Sequence, residues 1–288
     1  MRFTVPEELD GITLKSFLRK HCFVSARTLA KLKRTENGIT ANGSPVRSID
    51  ILTAGDIIEI SLPEDDAYIE PSELPVEIAY EDEYVIAAVK PPYMPVHPVG
   101  DYQKNTLANA IAFHALSMGE SYSFRPVNRL DKDTSGLVLA AKDRYSAAFL
   151  QGHCEKEYIA LCQGRIEGSG TIDRPLRIKE GHTIQREISP DGVRAVTHYR
   201  TIKNYGEDHT LLAVRLETGR THQIRVHFTS LGMPLAGDDM YGGSRDLMER
   251  QALHCGQLDF FHPITGEKMH FAIPLPEDMA ALCGENPL

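Results

Sequence analysis

Residues Arg125 to Lys142 read Arg-Pro-Val-Asn-Arg-Leu-Asp-Lys-Asp-Thr-Ser-Gly-Leu-Val-Leu-Ala-Ala-Lys, so the carboxylate of Asp131 ends a polar turn just ahead of the apolar run Leu137 to Ala141. A loop residue anchored by a buried strand is well placed to present a reactive side chain to a cleft. The same residue types also build ordinary turns. A second carboxylate, Asp133, would be needed for hydrolysis of a glycosidic bond by an acid pair, and its place in the sequence suits a turn residue better. His222 and His227 are five residues apart, point away from one another on a helix, and have no evident third ligand, which argues against a metal site. There is no Gly-x-Ser-x-Gly elbow and no Gly-x-x-x-x-Gly-Lys phosphate loop.

Several elements must position Asp131. Tyr84 to Lys90 reads as a strand stopped by Pro91-Pro92, followed by the loop Pro95-Val-His-Pro98 and a helix beginning at Leu107 and Ile111. A helix carrying Tyr145, Ala148 and Phe149 on one side leads into the strand Lys156 to Cys162, in which Tyr158, Ala160 and Cys162 share a face. Ala195 to Ile202 and His209 to Leu216 read as an antiparallel pair turning at Gly206. Glu217 to His227 then enters a helix with Ile224, Phe228 and Leu231 at helical spacing, stopped by Gly232 and Pro234. Gly237-Asp-Asp-Met-Tyr-Gly242 precedes two last strands, around Leu253 to Phe261 and Lys268 to Ile273. Strands outnumber helices and do not alternate regularly with them, which predicts an α+β fold with a mixed or antiparallel sheet.

The first sixty residues look like a separate small α/β domain. Leu14, Phe17 and Leu18 suggest one helix, and a second begins at Ser25 as cap. In the second, Arg27, Lys31 and Arg34 fall on one face opposite Leu29 and Leu32. Asn42-Gly43 marks a hairpin, and Ala54 to Ile60 a closing strand. Residues 63–75 combine Glu64, Asp65, Asp66, Glu70 and Glu73 with three prolines, a linker composition. The predicted division is therefore 1–62, a linker at 63–75, and a main domain at 76–288.

The 288 residues are 42% hydrophobic and 25% charged, as in a globular chain able to bury a large core. No apolar run approaches bilayer length and the N-terminus lacks a signal-peptide pattern, which reads as a cytoplasmic protein with no membrane partner. The five cysteines are scattered singly, without a Cys-x-x-Cys pair. A net charge of −9 argues against nucleic acid at first sight. Yet residues 1–60 hold nine Lys and Arg against seven Asp and Glu, so the local balance is about +2 there.

The small helices, Asn-Gly hairpin and Gly-Asp strand resemble the S4-like RNA-binding module. The set Asn-Arg-Leu-Asp-x-x-Thr-Ser-Gly-Leu, Lys-x-Tyr-x-Ala-Leu, Gly-Arg-Thr-His-Gln-Ile-Arg-Val-His and Gly-Asp-x-x-Tyr-Gly, in this order, resembles the pseudouridine synthases of the RluA type from about Pro75 to Pro276. Pro95-Val-His-Pro98, Leu253-His and Phe261-His-Pro-x-Thr-Gly-Glu267 fit the same pattern. Asn128 departs from it, since histidine is usual there. The resemblance implies an isomerase that converts uridine in RNA to its C-glycoside and needs no cofactor. It makes Asp131 the nucleophile, with Arg225, or else Arg220, as the cation beside it, and Tyr158 the ring that stacks on uracil. It makes Arg129 the side chain that fills the gap left by a flipped base, with Leu130 seating the loop; Arg27, Lys31 and Arg34 would contact RNA. Large-subunit ribosomal RNA is the usual substrate of this architecture, transfer RNA the alternative, and a monomer the default. Two rival readings are a non-catalytic RNA-binding protein on the same scaffold and an Asp-nucleophile hydrolase of nucleosides.

Overall fold

The computed structural model describes all residues except 23, 25, 62–67, 101 and 284–288, together with the side chain of Arg27. The Ser25 cap and residues 63–67 of the proposed linker thus lie outside the described residues. Strands β1 (Arg2–Thr4), β2 (Ile39–Ala41), β3 (Ser44–Pro45) and β4 (Ile57–Ile60) form an antiparallel sheet in the order β1-β4-β2-β3. Asn42 and Gly43 both have positive φ, 51° and 79°, which gives the two-residue hairpin its twist. Thr13 caps α1 (Leu14–Ser16), which continues as a wider π-turn over Phe17–His21, and α2 spans Ala26–Leu32. Leu29 and Leu32 are buried with Leu14, Phe17, Leu18 and Ile58, as their spacing predicts. Arg34 departs from the expected stripe: the helix has ended at Leu32, and Arg34 sits in the following turn, exposed. Phe3 meets the edge of Tyr145 with ring centres 5.2 Å apart, so the small sheet packs against the larger body.

The larger body is one mixed sheet. Its strands are β5 (Glu77–Glu81), β6 (Val85–Lys90), β7 (Arg125–Pro126), β8 (Ser135–Ala141), β9 (Cys154–Gln163), β10 (Ser169–Asp173), β13 (Val196–Tyr205), β14 (His209–Leu216), β15 (Leu253–Phe261) and β16 (Lys268–Ala272). A separate hairpin joins β11 (Leu176–Ile178) to β12 (Arg186–Ile188). The order is β10-β13-β14-β9-β15-β8-β6-β5, antiparallel except between β15 and β8. Helices α3 (Leu107–Ser117), α4 (Arg144–Leu150), α5 (Gln223–Thr229) and α6 (Glu277–Cys283) complete it. The α+β fold and mixed sheet are as the sequence predicts. In β9 the two faces separate as expected: Tyr158, Ala160 and Cys162 enter the main core, while Ile159 and Leu161 pack with α6. Two helices differ in detail. The buried side of α4 is Tyr145, Ser146, Phe149 and Leu150, with Ala148 half-buried. Helix α5 ends at Thr229, which leaves Leu231 in the turn and 37% exposed.

Strand β8 carries the Asp131 loop, and its borders explain how that loop is held. Its first residues, Ser135 and Gly136, pair with His254 and Cys255 of β15, and its last, Ala140 and Ala141, pair with Pro126 and Arg125 of β7. Gly136 has φ of 122°, and a Cβ there would lie 2.3 Å from the Cys255 carbonyl oxygen, so only glycine lets the strands approach. Between these two pairings Asn128 completes the edge with its side chain. Its amide nitrogen donates to Leu137 O at 3.0 Å and its amide oxygen accepts from Leu139 N at 2.8 Å, both buried. One carboxamide thus stands in for a peptide unit of a neighbouring strand. Asn128→Ala would leave two buried backbone groups unpaired, at about 1–3 kcal/mol each. We expect a loss of about 2–4 kcal/mol in denaturant unfolding; a midpoint indistinguishable from that of the native chain would show that water satisfies the edge instead.

Candidate active site

Asp131 lies between β7 and β8 with its side chain about a quarter exposed, and Oδ2 accepts from Arg225 Nη1 at 3.2 Å. The other two nitrogens of the guanidinium, Nε and Nη2, donate to Oδ2 and Oδ1 of Asp238 at 2.8 and 2.7 Å. Asp238 is fully buried, so the bidentate pair fixes the plane of the fork and leaves Nη1 for Asp131. Burial opposes the Arg225 charge, but the hydrogen bonds and charges of Asp238 and Asp131 outweigh it and hold the guanidinium protonated more firmly than usual. The guanidinium carbon also lies 5.0 Å from the centre of the Tyr241 ring.

Helix α5 supplies this cation. His222 takes a left-handed conformation, φ 58°, and directs the chain into the helix. Its Nδ1 is 2.8 Å from the Tyr241 hydroxyl, and its Nε2 is 3.8 Å from Asp131 Oδ2. Burial lowers its pKa, against the pull of Asp131. The Gln223 amide donates to Val196 O and Thr197 Oγ1, and its oxygen accepts from Thr218 Oγ1 and Arg220 N. His227 bridges Thr197 Oγ1 and Arg174 O. The two histidines weighed as metal ligands are therefore occupied separately. Gly237, with φ of 76°, faces Arg250 O at 2.0 Å from where a Cβ would be, so glycine is required just before Asp238.

Of the residues that the sequence singles out, Asp131 and Arg225 meet. Arg220 does not take the alternative place: it is exposed, precedes α5, and its Nε donates to Arg194 O. Tyr158 is 6% exposed in the middle of β9, opposite Cys255, and its pKa is pushed well up by burial, then by Cys255 and the Asp131 charge. Its phenol is therefore neutral at ordinary pH. Leu130 is buried in the main core and seats the loop, while Arg129 beside it is exposed. Lys31 is half-buried and Arg34 exposed on the N-terminal unit.

Three contributors escape a reading based on sequence. Asp238 and Tyr241 belong to Gly237-Asp-Asp-Met-Tyr-Gly242, a stretch whose pattern is visible but whose partner is not. Lys90 is the third. A charged residue ending an otherwise apolar strand is the signal, and its ammonium is fully buried, donating to Pro91 O, Met94 O and Lys132 O at 2.8, 2.8 and 2.9 Å. It clamps the loop after β6 to the loop after Asp131. Burial lowers its pKa to about 7, with Asp133 and Asp131 opposing and Arg250 reinforcing. Arg250 supports the same loop from the other side, donating to Asp133 O while gripping Asp278 of α6 through Nε and Nη2.

Comparison with known proteins gives this arrangement a family. A family model described as RNA pseudouridylate synthase matches residues 84–230. The chain is 40% identical over 275 residues to the uncharacterized RNA pseudouridine synthase YjbO of Bacillus subtilis, covering 91% of this chain and 96% of that protein. It is 40% identical over 238 residues to the ribosomal large subunit pseudouridine synthase D of Vibrio vulnificus, covering 76% of this chain and 73% of the relative. Among solved structures, human RNA Pseudouridylate Synthase Domain Containing 1 superimposes with a TM-score of 0.58 at 25% identity, over 71% of this chain and 85% of that one. With a match across half of its residues and a near full-length relative at such identity, the chain belongs to the RNA pseudouridylate synthases, isomerases that turn uridine in RNA into pseudouridine.

Proposed function

We propose that Asp131 is the nucleophile of this isomerisation and that the substrate is a uridine of large-subunit ribosomal RNA. The observation that carries the first part is the guanidinium of Arg225, fixed by Asp238 and offering its remaining nitrogen to Asp131. A carboxylate serves a reversible covalent step because it can attack and later leave. A cation held in place offsets the cost of burying that negative charge as substrate displaces water. In the overall change the bond from N1 to C1′ breaks, the uracil turns, C5 bonds to C1′, and the C5 proton departs while N1 gains one. Tyr158 enters as a neutral ring, suited to stack on the uracil and able to donate a proton. Arg129, exposed two residues before Asp131, can slide into the helical stack when the uridine flips out and offset part of the few kcal/mol that unstacking costs. Arg220, out of reach of Asp131, suits a phosphate contact.

The choice of RNA rests on the Vibrio relative, whose name assigns it to the large ribosomal subunit. Transfer RNA remains the second reading of the sequence. We further propose that residues 1–62 act as an S4-like RNA-binding domain ahead of an acidic linker at 63–75 and a catalytic domain at 76–288, working in the cytoplasm. A small antiparallel sheet over an apolar core drawn mainly from residues 5–60, which Tyr145 of the larger body joins, and a basic α2 support this division.

Transcripts of large-subunit ribosomal RNA carrying tritium at uridine C5 test the nucleophile. Asp131→Asn should reduce label release by roughly 10³-fold or more, as removal of a nucleophile does, while RNA affinity stays close to that of the native protein. Release at the native rate would refute the assignment. For the N-terminal unit, changing Arg27, Lys31 and Arg34 together to Gln should weaken RNA binding and reduce the slope of log K against log salt by about 1 for each phosphate no longer neutralised. An unaltered slope would remove this unit from the RNA interface.

A further inference from the structure

The loops clamped by Lys90 carry two large aromatic side chains that the fold leaves uncovered. Tyr93 is 55% exposed and Tyr102 46% exposed. With Pro95, Gln103, Lys104 and Asn105 they line an open hollow of about 520 Å³. Tyr93 occupies the third position of the turn Pro91–Met94 with φ of 63°, a backbone conformation that glycine adopts freely and a bulky residue adopts under strain. Asn105, on the far rim, is also left-handed, φ 66°. A strained tyrosine turned towards solvent contributes nothing to the core, and strain of this kind gathers where a side chain must be presented.

The position of this hollow relative to the reacting carboxylate is fixed by the bonds already described. The two carbonyls flanking Pro92 and Tyr93 share the Lys90 ammonium with Lys132 O, and Lys132 adjoins Asp131. Lys132 Nζ in turn donates to the Tyr102 hydroxyl at 3.2 Å and lies 5.0 Å from the centre of that ring. The cations here differ. Lys104 is paired with Glu70 at 2.8 Å, whereas Lys132 has Asp133 only at 4.0 Å, so its charge is less fully matched. Exposed rings beside a cation are the combination that binds unpaired nucleic acid: bases stack on the rings and the backbone follows the charge.

We propose that Tyr93 and Tyr102 form a stacking platform for an unpaired base of the RNA next to the flipped uridine, with Lys132 contacting the adjoining phosphate. The assignment rests on Asp131 marking where the uridine lies. It explains why the strained tyrosine and the reactive loop hang on one ammonium: the distance between flipped uridine and stacked neighbour is then set by the protein.

The test separates the platform from the chemistry. In an Asp131→Asn background, a single-stranded dodecamer of uridine bearing one 2-aminopurine should lose fluorescence on binding as the probe base stacks. Tyr93→Gly, which keeps the left-handed backbone, and Tyr102→Leu should each weaken binding by about tenfold and relieve the quenching, while Tyr93→Phe and Tyr102→Phe restore both. With Asp131 intact and tritiated large-subunit RNA, the same changes should raise KM and leave kcat within about twofold, the pattern expected when binding common to ground and transition states is removed. Unchanged affinity and quenching in the Tyr93→Gly, Tyr102→Leu double variant would overturn the platform. A fall in kcat at constant KM would also overturn it, as that would make the loop a support for Asp131. Label release by Asp131→Asn would instead refute the nucleophile, leaving the fluorescence result to stand by itself.

Discussion

A guanidinium between two carboxylates is the constraint that the rest of this molecule serves. One of them, Asp238, is shut away from solvent and takes two nitrogens; the other, Asp131, is partly open and takes one. A buried charge is costly unless well matched, and breaking such a pair usually costs more than the pair contributes. Asp238 therefore confines Arg225 to one orientation, and Asp131 meets the guanidinium in that orientation. On the mechanism proposed for Asp131, the positive charge is settled before any RNA arrives, the form of electrostatic help that needs no rearrangement during reaction.

Geometry of this kind tolerates little movement in the loop that carries Asp131, and the fold restrains that loop from three directions. Asn128 fastens its near end to β8 through two hydrogen bonds that a strand would otherwise supply. Lys90 holds the Lys132 carbonyl from below, and Arg250 holds that of Asp133 from the side of α6. Leu130, sunk into the core, leaves Asp131 on one side and Arg129 on the other. None of these residues needs to touch substrate. Each satisfies a polar group or fills a space that would otherwise let the loop settle elsewhere.

Much of this is legible in the sequence because it follows from local rules. The Asn42-Gly43 hairpin, the apolar strand behind Asp131, the antiparallel pair around Gly206 and the helix that carries Arg225 are all written in period and turn chemistry. The choice between Arg220 and Arg225 is not, since both lie in one motif. Helix phase decides it: Arg225 is the third residue of α5, whereas Arg220 lies in the turn before, bonded to Arg194. Helix ends are hard to read for a related reason. Arg34 and Leu231 continue the spacing of their helices, but the chain turns away before reaching them, and spacing alone does not record where packing stops. Asp238 and Lys90 stay hidden because their bonds cross between elements: Asp238 meets Arg225 across the turn that follows α5, and Lys90 reaches Lys132 O forty-two positions on, pairings that neither period nor turn chemistry encodes.

Strand β15 lies between β9 and β8, although it follows nearly all of the other strands in the chain. Arg225 belongs to the part of the sheet on one side of it and Asp131 to the part on the other. As the polypeptide is synthesised, each half can find its own hydrogen bonds early, but the two have no shared seam until residues past 250 have emerged. The contact between Asp131 and Arg225 is consequently among the last features to be assembled. An unfinished chain can hold both Asp131 and Arg225 and still lack the strand that brings them together.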